Sequence, residues 1–465
     1  MNKQICIIGA GPNGLASALA AIHIGYEVIL IDPWNDYRSY GDYAQTKKIV
    51  QKSIAKKAFR GSLTVYEYPQ SLIKRNTLQD FPLSLTRGGL TSVWGSNSYP
   101  WSEVTKSFEE SDLNSEIVEI LNRYIPIESR LSEVQLTSDF VTGIISKSTS
   151  EKDSVVSFDS SYVALNRSAC VFCGECLSGC NYDAIFNAEQ LWDSLIRAKK
   201  VALIKGVVEK IEKRKNLVAI SYLKDDRTHE LEIDQAFIAC GAIASAALLQ
   251  RSSLIDKEVQ LQDSQVFYTG LIKLSLQAEL QTKFNLVQAY CRIKLKSSFI
   301  HLSIYEASLV STQRIIGMSK IANVLPRGLF SWILPVIGFL PEHHSQKITL
   351  KFDGSSTEIQ VPPLSKKSLL FNFVFLKNFL SFIRLGILHI PFSLKFSNAG
   401  ASYHLGKLQK NGKAILDNLG QPPGGSGIHV VDTSSLQSIH PGPITVFSMF
   451  NSALITFRVL KELEQ

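Results

Sequence analysis

Residues 4–32 read QICIIGAGPNGLASALAAIHIGYEVILID, and no other stretch constrains the fold as strongly. Ile5–Ile8 is a short apolar run without alternation, as expected of a strand buried on both faces. Gly9, Gly11 and Gly14 follow in G-x-G-x-x-G spacing. An Ala/Leu-rich helix is predicted from Pro12 to about Ile24, with Gly25 as its stop. Glu27–Ile31 reads as a second strand, ending in Asp32. Each part has a physical task. Gly9 allows the tight turn, and Gly11 lets the backbone approach a pyrophosphate. Gly14 lets helix and strand pack closely, while the helix N-terminus attracts phosphate. Asp32 is placed to bond ribose hydroxyls. The competing reading is a glycine turn in a generic α/β fold. With strand, helix, strand and terminal acid in register, a bound dinucleotide is expected, although the motif does not separate FAD from NAD.

Three later blocks have the same character. Residues 87–95, RGGLTSVWG, pair Gly88 and Gly89 with small hydroxyl residues, so the backbone can lie against a flat ligand or a phosphate; Thr91 and Trp94 are candidates beside them. Residues 236–249, AFIACGAIASAALL, read as a strand, a turn and a helix start, with Gly241 and Ala242 at the crossing. In residues 427–457 a strand ends in Asp432, a turn containing Gly442 and Pro443 follows, and an apolar helix begins near Ile444.

The order of the blocks GAGPNG, GGLTSVWG, CGAIASAALL, SYHLG and VVDTSSLQSIHPGPITVF resembles the glucose–methanol–choline family of FAD-dependent oxidoreductases. The resemblance spans the chain, with divergent stretches between blocks. It implies an α/β fold: a glutathione-reductase-like, Rossmann-type FAD-binding domain from residues 1–100, 155–260 and 395–465. A substrate domain built on an antiparallel sheet is inserted at 101–154 and 261–394. Period-2 alternation in Gly270–Gln277, Val287–Leu295, Phe299–Tyr305 and Lys347–Phe352 supplies strands for that sheet. The resemblance also implies oxidation of a CH–OH group, in a sugar or a lipid-linked glycan or alcohol, by hydride transfer to flavin. Electrons then pass to an external acceptor, a quinone or redox protein. His404, in SYHLG, falls on the family's catalytic base. The family's second catalytic residue, a His or Asn, falls on Gly442, which has no side chain; His440, two residues earlier, is the candidate substitute. Two other readings stay open: an electron-transfer flavoprotein with an iron–sulfur cluster that reduces quinone at a membrane, and a flavin-binding protein that has lost catalysis.

Four of the seven cysteines fall within 170–180, CVFCGECLSGC. Cys170, Cys173, Cys176 and Cys180 have the C-x2-C-x2-C-x3-C spacing of bacterial ferredoxins, but Asn181 stands where proline is usual. The fourth Cys of that run serves another cluster, so a single [4Fe–4S] cluster needs a distant ligand, for which Cys240, Cys291 and Cys6 are candidates. A zinc knot and plain packing are the alternatives.

The chain has 465 residues, with 49 Lys+Arg against 41 Asp+Glu, a net charge of +8. No Asp or Glu lies between Ile359 and Leu416, where eight basic residues equal the whole excess. Elsewhere the charge balances, and no nucleic-acid motif accompanies it, so nucleic acid is not an expected partner. Within that segment, 366–391 reads as a mostly apolar helix with a narrow basic stripe of Lys366, Lys377 and Arg384. It is either a peripheral membrane dock or a buried helix with snorkelling bases. A second apolar patch, 328–341, precedes it. A further basic run, Lys47 to Arg60, reads as a solvated helix face. The first strand begins at the N-terminus with no leader, so a cytoplasmic location is expected, at the inner face of the membrane if the dock is used.

Overall fold

The computed structural model describes residues 3–35, 72–75, 81, 83–109, 112–127, 137–150, 154–174, 176, 180, 182–275, 284–306, 332–364, 368–389 and 393–464. The run Lys47 to Arg60 lies outside the described residues, as do Lys366 and Lys367.

A parallel sheet of five strands forms the first layer, in the spatial order Ile428–Val430, Ala236–Ile238, Gln4–Ile8, Glu27–Asp32, Val201–Lys205. The N-terminal strand sits at its centre, which is why its apolar run does not alternate: both faces are covered. Ile5 and Ile7 pack to one side, against helices Pro12–Ile24 and Thr445–Glu462. Cys6 and Ile8 pack to the other, with helix Ala242–Arg251. Buried hydroxyls fasten the first helix to the last. Ser17 Oγ lies 2.7 Å from Thr456 Oγ1, and Asn13 accepts from Ser448 Oγ at 2.9 Å and from Ser452 Oγ at 2.6 Å. The chain's two ends are thus fixed together, which brings the start of the last helix to the edge of the glycine loop.

An antiparallel second sheet runs Ile387–His389, Val266–Lys273, Ile333–Phe339, Phe299–Tyr305, Val287–Lys294, Val156–Ser160. Three of the four alternating segments, Gly270–Gln277, Val287–Leu295 and Phe299–Tyr305, contribute strands here. Ile300, Leu302 and Ile304 point into an apolar core with Cys291, Ile293 and Phe158. The opposite face is polar, because the period of a strand is two. Arg292 lies opposite His301, Tyr290 opposite Ser303, and His301 opposite Phe339. This face looks toward the first layer. The strand Val156–Ser160 belongs to this sheet, although the sequence grouped it with the FAD-binding segments. Lys347–Phe352 instead joins a third sheet, which also holds Gly406–Lys410, the strand just after His404.

The apolar core of the second sheet is closed by residues 368–384, and here the expectation needs correcting. The segment is not one helix to 391. It forms two short helices, Ser368–Lys377 and Phe379–Arg384, then turns at Gly386 into the strand Ile387–His389. Asn378 breaks the run, its side chain donating back to the Val374 carbonyl at 2.8 Å. Within the patch 328–341, Ile333–Phe339 is a central strand of this sheet. Among the described residues no helix is long and apolar enough to cross a membrane.

Candidate active site

The glycine loop is built as its spacing predicted. Helix Pro12–Ile24 has the predicted bounds, and Gly25 ends it at φ 98°. A Cβ on Gly14 would lie 2.1 Å from the Gly9 carbonyl oxygen, so the close helix–strand approach requires glycine there. Asp32 turns both carboxylate oxygens inward, accepting from the Ala10 amide at 2.8 Å and the Trp34 amide at 2.7 Å. Burial pushes its carboxyl up to about 7, against the pull of those two amides. Trp192, fully buried, donates Nε1–H to the Ala10 carbonyl at 2.9 Å and braces the loop from the other side.

The RGGLTSVWG block lies across this loop. The Cβ position of Gly89 falls 3.1 Å from Gly11 Cα, and that of Gly88 is filled by Asn187 Oδ1 at 2.4 Å. Thr91 Oγ1 donates to the Gly88 carbonyl at 2.5 Å and accepts from the Ala188 amide at 3.1 Å. Trp94 Nε1–H donates to the Phe186 carbonyl at 2.7 Å. Asp432 contacts Ser245 Oγ and accepts from the Ser434 amide at 2.9 Å, so it ties the second crossing at Gly241–Ala242 to the turn after the last sheet strand. Thr91, Trp94 and Asp432 thus tie the backbone of these blocks together.

Two glycines in this cradle face open space. A Cβ on Gly241 would meet nothing within 4 Å, and one on Gly11 only a carbonyl oxygen at 4.0 Å. Helix Pro12–Ile24 also starts without a side-chain cap, leaving its first amides free for an anion. These residues fit a dinucleotide such as FAD. Gly9, Gly11 and the helix N-terminus would hold its pyrophosphate, with Gly89 and Gly241 beside it.

The second centre lies where the polar face of the antiparallel sheet meets the turn before the last helix. It holds three histidines: His404 and His440, as expected, and His301, which was not. His301 is fully buried, with both ring nitrogens engaged. Nδ1 lies 2.6 Å from the Tyr99 hydroxyl and Nε2 lies 3.0 Å from Ser303 Oγ. The Tyr99 hydroxyl also reaches the Pro441 carbonyl at 3.3 Å, so the imidazole is bonded on both sides within one buried network. Asn97 donates to Ser303 Oγ at 3.0 Å and accepts from the Tyr290 hydroxyl at 2.7 Å, completing the network.

This packing explains Gly442. Its φ is 106°, and a Cβ there would fall 2.6 Å from the Tyr99 hydroxyl and 2.8 Å from the His301 ring. The space beside Gly442 is filled by a histidine from a different strand. Pro443 is buried beside it.

His404 differs from His301. Its ring stacks on Phe339 at 4.4 Å. Its Nδ1 is closed off from solvent with no hydrogen-bond partner among the described residues. Its backbone is held from below: its amide donates to Ser402 Oγ at 2.9 Å, Ser402 contacts Asp263, and Asp263 accepts the Gly400 amide at 2.9 Å. Tyr403, just before it, sits at φ 62°, a conformation that costs a non-glycine residue about 1–3 kcal/mol. His440 stacks on Phe447 at 4.8 Å, with Nδ1–H donating to the Pro441 carbonyl at 3.0 Å.

All three rings are kept neutral. Burial, with His440 nearby, lowers His404 to about 3. Burial and the Arg292 guanidinium lower His440 to about 4. The same causes hold His301 well below the usual imidazole range. Arg292 spans Tyr99 and Phe299, 5.2 Å from each ring, and pairs with Glu103. Arg292 and Tyr290 also line a polar cavity of about 400 Å³ with Ser102, Glu103, Asp159 and Tyr162. His301 was legible in part: FIHLSIY places His301 and Ser303 on one strand face, but not which face meets the site.

The cysteine block gives no support to a metal cluster. Cys173 is exposed; Cys170, Cys176 and Cys180 pack in part against the first core, and none of the four forms a disulfide. Cys180 Sγ accepts from the Ala184 amide at 3.3 Å. The proposed distant ligands lie apart: Cys240 donates to the Ile8 carbonyl at 3.5 Å, and Cys291 faces the core of the second sheet. Among the described residues no three of His, Cys, Asp or Glu converge on a point that could hold a metal ion.

No protein-family model matches the chain, and no curated protein does. Among solved structures the fold is similar to that of pyridoxine 4-oxidase from Mesorbium loti. The TM-score is 0.64, over 98% of this chain and 99% of that one, at 11% sequence identity. At that identity the likeness shows the fold: a parallel nucleotide-binding type of sheet joined to an antiparallel sheet.

Proposed function

We propose that this chain is an FAD-dependent oxidoreductase acting on a CH–OH group. The observation that carries the reading is the shielded, unpartnered Nδ1 of His404 beside two further neutral imidazoles. A buried polar atom without a partner costs about 1–3 kcal/mol, so such an atom suits a ligand that satisfies it. The open cradle at Gly11 and Gly241 supports the flavin, and the structural neighbour is named as an oxidase.

When bound, FAD supplies a two-electron acceptor for the carbinol hydride. The chain's own residues do the rest. His404 Nδ1 accepts the substrate hydroxyl as a hydrogen bond and takes its proton as the bond to hydrogen breaks. A lowered pKa keeps this nitrogen free at neutral pH, and the Asp263–Ser402 contact fixes its position. His440 lines the site, while His301 is a positioning residue, since both its nitrogens are already bonded. The substrate is a sugar or another alcohol, with electrons leaving to an external acceptor.

The test is anaerobic: the flavin-loaded protein is mixed with a panel of sugars, lipid-linked glycans, aliphatic alcohols and pyridoxine, and flavin bleaching is followed. Bleaching by one class, lost in His404→Gln while flavin content is retained, supports the reading. Equal bleaching in the variant refutes the role of His404, and a protein that carries no flavin refutes the whole.

A further inference from the structure

We propose that helices Ser368–Lys377 and Phe379–Arg384 form a docking surface for an anionic lipid bilayer. The inference is independent of the reaction proposed above. The inner sides of these helices close the core of the antiparallel sheet: Phe371, Phe375, Phe382 and Leu385 are buried there, and Phe375 stacks on His389 at 4.2 Å. The outer sides are equally apolar. Among the described residues fourteen large apolar side chains are exposed, and six of them lie between Leu370 and Ile383. Leu370, Phe373, Leu376, Phe379, Leu380 and Ile383 are 38–66% exposed. Scattered exposed apolar residues are ordinary, but a contiguous apolar face on consecutive helices marks a contact surface.

The charge selects the occupant. Lys377 and Arg384 are exposed beside the apolar side chains, and the chain carries no acid from Ile359 to Leu416. A second copy meeting this face across a twofold axis would set Lys377 and Arg384 against their own counterparts, with no acid of the segment to offset them. Anionic headgroups supply the missing charge. Helices lying flat, with Phe and Leu in the acyl boundary and Lys and Arg at the phosphates, match an interfacial anchor. The dock lies on the far side of the antiparallel sheet from the histidines, so docking leaves the site uncovered.

The test uses the full chain with sedimenting vesicles of phosphatidylcholine, with and without phosphatidylglycerol. Binding is expected to the anionic vesicles and to fall as salt rises. Lys377→Gln with Arg384→Gln weakens it roughly thirtyfold. Phe373→Ser with Leu380→Ser abolishes it, while circular dichroism and melting stay near wild type because both side chains are already exposed. If the double serine variant misfolds, the charge variant decides alone. Absence of binding, equal binding to neutral vesicles, or insensitivity to both variants overturns the proposal. So does a concentration-dependent dimer lost with Phe373→Ser and Leu380→Ser in a protein that binds no vesicle, which would assign the face to a second copy.

Discussion

Gly442→Ala is the most informative single change in the chain. Two costs follow from the structure. The backbone sits at φ 106°, which an L side chain adopts only with strain of about 1–3 kcal/mol. The new methyl would also fall 2.6 Å from the Tyr99 hydroxyl and 2.8 Å from the His301 ring, both in fully buried side chains. Forcing a methyl into such a place costs about 1–3 kcal/mol more. The loss should total about 2–6 kcal/mol, measured by urea unfolding followed through tryptophan fluorescence. Only the second cost depends on His301. In a His301→Ala background the ring's share of the space opens and Tyr99 keeps only its 3.3 Å bond to the Pro441 carbonyl, so Gly442→Ala should then cost less, approaching its backbone share of about 1–3 kcal/mol. A coupling of about 1–3 kcal/mol is thus expected between two positions 141 residues apart in sequence. Costs that add to within about 0.5 kcal/mol would show that His301 does not occupy the space beside Gly442.

Further outcomes are expected. His404→Gln should lower turnover by about 10²–10⁴-fold with flavin content unchanged. Because His404 is held at about 3, the wild-type rate should stay level from pH 8 to about pH 5 as far as this group is concerned, rather than fall near 6.5; a midpoint near 6.5 assigned to His404 would refute its burial. The sign for stability follows: the folded ring stays neutral while the unfolded ring protonates below about 6.5, so the stability linked to it is lost as pH falls from there toward 3. Against His404→Gln, the wild type should lose up to about 1.4 kcal/mol more per pH unit in that range. Asp263→Asn should loosen the Gly400–His404 turn, destabilise by about 1–3 kcal/mol and lower turnover more than substrate affinity; an unchanged rate would remove Asp263 from the positioning role. Anaerobically purified protein should show flavin absorbance without stoichiometric iron, and iron at four per chain would overturn the reading of the cysteine block.

How much could be read without coordinates depends on how local each feature is. The glycine loop was legible because its turn, helix start and second strand lie within about thirty contiguous residues and close by local hydrogen bonds. Helix Pro12–Ile24 and the start of the last helix near Ile444 fell where Pro, Gly and apolar period put them. The span 366–391 was harder. Its apolar side chains surround the helix, so periodicity could not show which side is buried, and the break at Asn378 depends on a side-chain bond back to its own turn.

By itself, then, the sequence determined the glycine-rich strand-to-helix crossing, the alternating strands and the acid-free basic segment, each a property of neighbours along the chain, while His404 was singled out by the resemblance of its block. Only the tertiary structure decided what stands beside Gly442. Tyr99, His301, His404 and His440 come from four separate stretches, and strand register places Arg292 opposite His301, while His301 packs against Gly442 in the turn before the last helix. Among the described residues it also brings together no group of His, Cys, Asp or Glu that could hold a metal ion, since ligand spacing states a capacity while backbone path decides whether the thiols meet.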